Sequence, residues 1–105
     1  MTKYFFVAAS EKFLTVEEPI EEILKERIRI YKENNKVLDF WPLKNPSFLQ
    51  TTQFVDLKAK IPSPSAAILS TDKKFITFLK LRLEFVAVGE FEFPNAEITD
   101  PFKVE

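Results

Sequence analysis

The fold depends most on the stretch from Ser70 to Gly89, STDKKFITFLKLRLEFVAVG, which holds the longest apolar pattern and the only glycine of the chain. As a strand, its second half alternates apolar and charged residues with the period of a half-buried strand. As a helix, it has Thr71 or Asp72 as N-cap and its glycine at the left-handed position that follows a last turn. About sixteen uninterrupted residues is ordinary for a helix and long for a strand, so the helix is the preferred interpretation.

Arg82 has an unusual position if this stretch is a helix. At about 100° per residue, it lies opposite the polar side of the helix, so its neighbours are predicted to be apolar. These neighbours are Phe75, Phe78, Leu79, Phe85 and Val86. A guanidinium stays charged in such surroundings and therefore needs a carboxylate, carbonyl groups or water.

Two interpretations of Arg82 remain open. Its side chain lies along the rim of the core with its head in solvent, or it belongs to an apolar face that receives another protein. A helix packed fully on its own sheet cannot present an inward arginine to a partner. Docking therefore requires a partly covered helix, with Phe78 or Phe85 at an open edge, or a change to strand before Arg82.

The composition indicates one soluble globular domain over residues 1–105. Hydrophobic residues make up 46% of the chain and charged residues 30%, which excludes wholesale disorder. No apolar run reaches the length of about eighteen residues that a membrane span needs. A net charge of -1 provides neither a basic field for nucleic acid nor a polybasic segment for anionic lipid. We therefore predict no nucleic-acid partner and no direct membrane insertion.

The chain has no cysteine and no histidine, which excludes several kinds of site. Zinc sites of the usual kind, disulfides, thiol nucleophiles and histidine-based acid–base catalysis all need these residues. Glu18, Glu22 and Glu26 have the i, i+4 spacing of carboxylate metal ligands, but a solvated helix face is the favoured interpretation. No pair of carboxylates is placed in a convincing catalytic pocket. The sequence thus predicts a protein that is not an enzyme and has no metal or cofactor.

The order of predicted elements is strand, helix, strand, insertion, strand, helix, strand. The strands are Lys3–Ser10, Lys36–Leu43, Ser65–Thr71 and a short one at Glu90–Phe93, and the first helix runs from a Thr15–Glu18 capping box, with Pro19 in its first turn, to about Asn34. This order predicts an α+β fold with a four-stranded, mainly antiparallel sheet and both long helices on one face, as in ferredoxin-like βαββαβ folds. A helical insertion lies around residues 44–64, and a loose tail begins at about residue 95, with Ile98 and Phe102 as possible anchors.

The second face of this predicted sheet carries Tyr4, Phe6, Val37 and Trp41. Large aromatic side chains on a sheet face need a cover. The 44–64 insertion, a partner protein, or a second copy of the chain in a homodimer of the isolated protein would each provide one.

Asp39 lies between apolar neighbours in the second predicted strand. A carboxylate there is costly unless it faces water or meets a donor, such as Arg27 or Arg82. A structural ion pair or an exposed position is favoured over contact with a ligand.

Several unrelated segments match one protein family in register. They are YFFVAAS at Tyr4–Ser10, DFW at Asp39–Trp41, KNP at Lys44–Pro46, KAK at Lys58–Lys60, AAI followed by ST, and LKLRLEF with GEFE. On these segments, from about Tyr4 to Pro94, the chain resembles the low chlorophyll accumulation A family of small cyanobacterial and plastid proteins. The tail from Asn95 to Glu105 carries no matching motif.

The resemblance implies a role in chlorophyll synthesis, where the fifth ring is formed from magnesium-protoporphyrin IX monomethyl ester. The family is implied to be an accessory to the aerobic di-iron cyclase and not the catalyst, which agrees with the lack of histidine ligands for redox iron. The partner-binding residues that it implies are Asp39, Phe40 and Arg82, and Trp41, Phe78 and Phe85 are candidates for additional surface.

The leading hypothesis is a binding protein that docks on the cyclase subunit and stabilises it. Such a protein is expected in the cytoplasm or the plastid stroma, associated with the thylakoid membrane through its partner. Replacing Arg82, or Asp39 together with Phe40, by alanine is then expected to leave folding largely intact and to weaken the complex. The alternative is a carrier that holds the tetrapyrrole transiently between sheet and aromatic side chains and delivers it to the cyclase.

Overall fold

The computed structural model describes residues 1–18 and 20–105 and confirms the α+β architecture. Its strands are β1 (Thr2–Ser10), β2 (Phe40–Lys44), β3 (Ser65–Ser70) and β4 (Ala87–Phe93). Its α-helices are α1 (Glu21–Glu33), α2 (Val55–Ala59) and α3 (Lys73–Leu83), and shorter helical turns lie at Phe13–Glu17, Ser47–Gln50 and Thr52–Phe54. Within the described residues, every helix is too short or too polar to cross a membrane.

The four strands form one sheet in the order β2-β3-β1-β4, and every neighbouring pair is antiparallel. Val7 at the centre of β1 pairs with Ile68 of β3 on one side and with Val88 of β4 on the other. This is the strand order of the predicted ferredoxin-like fold, in which each strand–helix–strand half spans one intervening strand. The apolar character of β1 on both faces follows from its central position.

The core on the helix side lies between the sheet and the two longer helices. The sheet contributes Val7, Ala9, Phe40, Ala66 and Ile68, while α1 contributes Leu24 and Tyr31, and α3 contributes Phe75, Ile76, Leu79 and Leu83. The Ser70–Gly89 stretch is therefore a helix from Lys73 to Leu83 and a strand from Ala87.

The opposite face of the sheet is covered by the 44–64 insertion, as one of the predicted alternatives requires. Phe6 is fully buried there, with its ring centroid 4.8 Å from that of Phe48 and 5.1 Å from that of Phe54. Phe91 of β4 completes this aromatic cluster at 6.4 Å from Phe6. Burial of this kind by aromatic side chains is the main stabilising contribution on this face.

The C-terminal segment also packs on this face, which differs from the predicted loose tail. Ser47 N donates a hydrogen bond to Lys103 O at 2.8 Å, and Glu105 N donates one to Asn45 O at 2.9 Å. Ile98 is 2% exposed, and the Phe102 ring lies 4.6 Å from that of Trp41. These contacts involve the two residues, Ile98 and Phe102, that the sequence suggests as possible anchors of the tail.

Two element boundaries also differ from the sequence-based expectation. β2 begins at Phe40, so Val37 lies outside the sheet and is 86% exposed instead of occupying its second face. Thr15 is not an N-cap: it lies inside a helical turn and its hydroxyl donates to Glu11 O at 2.7 Å, and α1 begins only at Glu21. Pro19, predicted in the first helical turn, lies outside the described residues.

Gly89 is not the helix cap that the sequence predicts, because it lies within β4 opposite Phe6. A Cβ atom at this position would lie 2.5 Å from Phe6 Cζ, and that ring is held by its aromatic neighbours.

We expect Gly89→Ala to lower the free energy of unfolding by about 1–3 kcal/mol through overpacking, measured by chemical denaturation. The half-exposed neighbour Val88 provides the control, since Val88→Ala is expected to change the free energy of unfolding by less than about 1 kcal/mol. Equal stability of the two variants would contradict the close packing.

Tyr4 gives a prediction for alkaline pH. Burial raises the pKa of its hydroxyl above the ordinary value, and the nearby charge of Asp100 raises it further. The folded state therefore favours the neutral phenol, so this contribution to stability is complete below the ordinary tyrosine pKa of about 10 and is lost as pH rises through the raised value. Between about pH 9 and pH 12, Tyr4→Phe should lose less unfolding free energy than the wild type. Parallel losses in both proteins would contradict the assignment.

Candidate docking surface

Helix α3 has a defined start and a clear inward face. The Asp72 carboxylate caps its N-terminus, since Oδ1 accepts hydrogen bonds from Lys74 N at 3.0 Å and from Phe75 N at 3.4 Å. The four residues that α3 buries in the core are Phe75, Ile76, Leu79 and Leu83. On the remaining side, Phe78 is half exposed beside α1, and Leu81 and Arg82 are exposed.

Four residues form the surface that we call the outer face of α3: Phe78, Leu81, Arg82 and Phe85. Phe78 is 49% exposed, Leu81 75% and Phe85 79%, and Arg82 is also exposed. Phe78, Leu81 and Arg82 have the i, i+3, i+4 spacing by which amphipathic helices enter apolar grooves of partners. Phe85 is the second residue after the end of the helix, and its position is set by the turn at Glu84.

The inward position predicted for Arg82 is wrong. The sequence places the centre of the buried stripe near Arg82, whereas the buried stripe is rotated by roughly 70° toward Ile76 and Leu83. Phe78 and Phe85 are thus on the exposed side together with Arg82 and do not bury it. An exposed Arg82 is compatible with both interpretations left open, and it meets the condition that docking requires, a partly covered helix with its arginine at an open edge.

The charged side chains of α3 itself are all cationic: Lys73–Leu83 contains Lys73, Lys74, Lys80 and Arg82 and no Asp or Glu. The carboxylates of Glu22 and Glu26 on α1 line the groove beside Phe78, and Asp72 and Glu84 border the helix at its two ends. Around Leu81 and Arg82 the helix therefore favours a partner surface with carboxylates, which would increase the association rate and orient the complex.

A second cluster of polar groups lies at the other end of α3, where α1 meets β2. Tyr31 OH donates to Asp39 Oδ1 at 2.8 Å and accepts from Arg27 NH2 at 2.8 Å. Arg27 NH2 also contacts Asp72 Oδ2 at 3.0 Å. The carboxylate that pairs with Arg27 is therefore Asp72. Arg27, one of the predicted donors to Asp39, does not contact it directly but donates to the Tyr31 hydroxyl, which in turn donates to Asp39.

Arg27 is additionally held by aromatic rings. Its guanidinium carbon lies 3.8 Å from the centroid of Phe75 and 5.7 Å from that of Phe40. Such cation–π contacts are favourable where the cation is partly desolvated. Arg27 thus connects α1 to the first turn of α3 and to the start of β2, and this cluster is a structural link between elements.

The other site residues predicted from sequence do not share one surface. Phe40 is 3% exposed and lies in the core against Phe75, at 5.2 Å between ring centroids. Trp41 lies half-buried on the opposite sheet face. Asp39 lies near the N-cap of α3, and Arg82 is ten residues further along, roughly 15 Å along the helix axis. The structure therefore groups Phe78, Arg82 and Phe85 and separates them from Asp39, Phe40 and Trp41.

Sequence reasoning missed two residues of these clusters. Leu81 is the most exposed apolar residue of α3, but the helical pattern counts it only as one more apolar residue. Tyr31 is not among the predicted site residues, although its hydroxyl lies between Arg27 and Asp39. A buried tyrosine needs a partner for its hydroxyl, and that rule is the available signal.

Tyr31→Phe tests the link between α1 and β2. It removes the donor to Asp39 and one acceptor of Arg27, so we expect the free energy of unfolding to fall by about 1–2 kcal/mol. Chemical denaturation measures this change. Asn34→Ala, at the exposed end of α1, is a control that loses one exposed side-chain hydrogen bond and is expected to cost less than about 1 kcal/mol. A Tyr31→Phe protein as stable as wild type would contradict the link.

Comparison with known proteins places this geometry in a family context. Residues 2–93 match the model of the Ycf54 protein family. A Ycf54-like protein from Synechocystis sp. is 52% identical over 101 residues, covering 96% of this chain and 76% of that protein. The chloroplastic protein YCF54 of Arabidopsis thaliana is 41% identical over 92 residues, covering 87% of this chain and 43% of that protein.

Solved structures agree with the fold. The crystal structure of a Nostoc sp. PCC 7120 protein superposes with a TM-score of 0.95 at 52% identity, covering 98% of this chain and 95% of that one. The structure of Ycf54 from Synechocystis sp. superposes with a TM-score of 0.93 at 49% identity, covering 99% and 97% of the two chains. These similarities extend over both faces of the sheet, including the segment after residue 93.

Proposed function

Because this chain belongs to the Ycf54 family, with relatives in cyanobacteria and in a chloroplast, we propose that it is an accessory protein of chlorophyll synthesis. In this role it binds and stabilises the di-iron magnesium-protoporphyrin IX monomethyl ester cyclase without catalysing the reaction. The distribution of the family agrees with the resemblance to low chlorophyll accumulation A proteins. The protein would work in the cytoplasm or the plastid stroma and reach the thylakoid membrane through the cyclase subunit.

The observation that carries this proposal is the outer face of α3. Phe78 and Leu81 on α3, and Phe85 in the turn that follows it, are large apolar side chains exposed within a few residues of Arg82. Contiguous apolar surface of this kind, bordered by charges, is typical of a protein-binding site. Arginine and aromatic residues are also the types that most often dominate binding energy at interfaces.

Docking is favoured over the carrier role by the packing of the second sheet face. The space where a tetrapyrrole would lie against aromatic side chains is occupied by the chain itself, since Phe6 and Phe48 are at most 1% exposed. Titration with magnesium-protoporphyrin IX monomethyl ester tests the carrier directly. We expect no shift of the porphyrin absorption band at concentrations of about 1–10 µM. A saturable shift at equal concentrations would support the carrier instead.

The proposed role is tested with purified components. Mixing the wild-type protein with purified cyclase subunit is expected to give a complex that elutes earlier than either component in size-exclusion chromatography. Co-expression is expected to raise the yield of soluble, folded cyclase subunit. The absence of both a complex and a change in yield would contradict the proposal. Light scattering of the isolated protein tests whether the same face pairs with a second copy when no cyclase is present.

A further inference from the structure

The turn that follows α3 has a strained backbone. Glu84 has φ 61 and ψ -59, and Phe85 N donates a hydrogen bond to Leu83 O at 2.7 Å across it. This is a γ-turn with positive φ, a rare conformation that is unfavourable for a residue with a Cβ atom. The other described non-glycine residues with positive φ are Asn35 and Asn45, and asparagine tolerates the left-handed region.

Lys80 holds this turn in place. Its ammonium group donates to Glu84 O and to Val86 O, both at 2.9 Å. The two bonds connect the last full turn of α3 with the residues on both sides of Phe85. The turn is therefore fixed by side-chain contacts and is not an open loop.

The geometry of the turn determines where Phe85 points. Leu83 is 4% exposed and Val86 6%, so the residues on either side of the turn enter the core. Phe85 between them is 79% exposed. A chain that only needed to pass from helix to strand could use glycine at the strained position and a polar residue at the exposed one. Strain at a residue next to an exposed phenylalanine points to a binding function of the turn.

We propose that the γ-turn at Leu83–Phe85, held by Lys80, is a preformed device that presents Phe85 beside Arg82 to the cyclase subunit. The matching site on that subunit is an apolar pocket with carboxylates at its rim. The pocket takes the Phe85 ring, and the rim pairs with Arg82. This inference rests on the proposed function and specifies the chemistry of the partner surface.

The chemistry of the partner surface follows from the apolar and charged groups around the turn. A largely exposed ring gains binding energy only when an apolar surface covers it. The cationic groups near Phe85 are Lys60, Lys80 and Arg82, against the carboxylates of Glu17 and Glu84, so the balance is positive, a carboxylate rim is complementary and a basic rim is repelled. Holding the ring in place before binding reduces the entropy that docking would otherwise cost.

Two substitutions separate the contribution of the Phe85 ring from that of the rigid γ-turn. Phe85→Ala removes the ring, and we expect the affinity for purified cyclase subunit to fall about tenfold or more. Glu84→Gly keeps the ring, relieves the backbone strain and lets the turn move. Its unfolding midpoint should be unchanged or higher, while its affinity should fall about threefold to tenfold.

The affinities are measured by fluorescence anisotropy with all variants labelled at a Gln53→Cys site, which is unique because the chain has no cysteine. Val55→Ala, a 60% exposed apolar residue on the opposite sheet face, is the matched control and should bind like wild type. The wild-type affinity should fall by about tenfold or more when the ionic strength rises from about 0.05 to 0.5 M, as expected for a carboxylate rim.

The outcomes are distinguishable. If wild type does not bind the cyclase subunit, the proposed function fails, and this inference fails with it. If wild type binds and Glu84→Gly binds equally well or better, the turn is not a presenting device, whatever Phe85→Ala does. If Phe85→Ala binds like wild type, the apolar pocket is wrong. An affinity that does not change with ionic strength overturns the carboxylate rim.

Discussion

Phe40→Ala is expected to lower the free energy of unfolding by about 3–5 kcal/mol, which would leave many small domains barely folded. Phe40 is 3% exposed, and its ring lies 5.2 Å from that of Phe75 and 5.8 Å from that of Tyr31. Deleting the ring leaves a cavity between β2, α1 and α3. Chemical denaturation measures the loss. Phe40→Leu is the matched control and should cost less than about 1.5 kcal/mol, because it keeps most of the buried volume.

Phe40 is therefore expected to act as a core residue and not as a direct partner contact. The sequence predicts that replacing Asp39 and Phe40 leaves folding largely intact, but removal of a buried ring is expected to cost several kcal/mol of unfolding free energy. Phe40 supports Phe75, whose ring stacks near that of the outer-face residue Phe78 at 6.4 Å. A complex weakened by Phe40→Ala is therefore expected to reflect a shift of α3. A Phe40→Ala protein as stable as wild type would contradict its place in the core.

Arg82→Ala is expected to weaken binding to the cyclase subunit by about 30-fold or more, the range of an interfacial hot spot of about 2 kcal/mol. Its side chain is exposed and lies outside the buried face of α3, so the free energy of unfolding should change by less than about 0.5 kcal/mol. Affinity is measured with purified components, and stability is measured on the same samples.

A second exposed arginine provides the control for Arg82. Arg29 on α1 pairs with Glu26 and with Glu33, and the pairing lowers the pKa of the Glu26 carboxyl. Arg29→Ala removes the same charge from a different helix at a small cost in stability. We expect it to bind the cyclase subunit like wild type. Equal weakening by Arg29→Ala and Arg82→Ala would indicate a general effect of net charge and would contradict a site on α3.

The main elements of the fold are predictable from local patterns. Short continuous apolar runs in β1 and in Ser65–Ser70, and the length of the apolar stretch after Asp72, are enough to predict these strands and α3. The position of Gly89 is not predictable in this way. Its role comes from the Phe6 ring on a neighbouring strand, a contact between residues far apart in sequence.

The predicted inward orientation of Arg82 is wrong for a related reason. Hydrophobic periodicity counts Phe78 and Phe85 as core residues because it has no term for an apolar surface that faces a partner. Including them moves the predicted buried stripe onto Arg82. Exposed aromatic residues beside the buried stripe therefore mislead the pattern, and disagreement between pattern and packing is a common sign of a functional surface.

The environment of Asp39 shows a further limit of sequence reasoning. Asp39 has structural partners, as expected, but they are not the predicted arginines. Tyr31 is the hydrogen-bond donor, and Lys36 Nζ lies 3.9 Å from the second carboxylate oxygen. The choice among these donors depends on how α1 is placed over β2. That placement is a tertiary property.

Contact between the outer face of α3 and the cyclase subunit is tested most directly by photo-crosslinking. The photoreactive residue p-benzoyl-phenylalanine is introduced at Leu81, 75% exposed on α3, and separately at Val55, 60% exposed on α2 across the sheet. After irradiation of each complex, we expect a crosslink to the cyclase subunit from position 81 and none from position 55. A crosslink from position 55 without one from position 81 would contradict the docking surface.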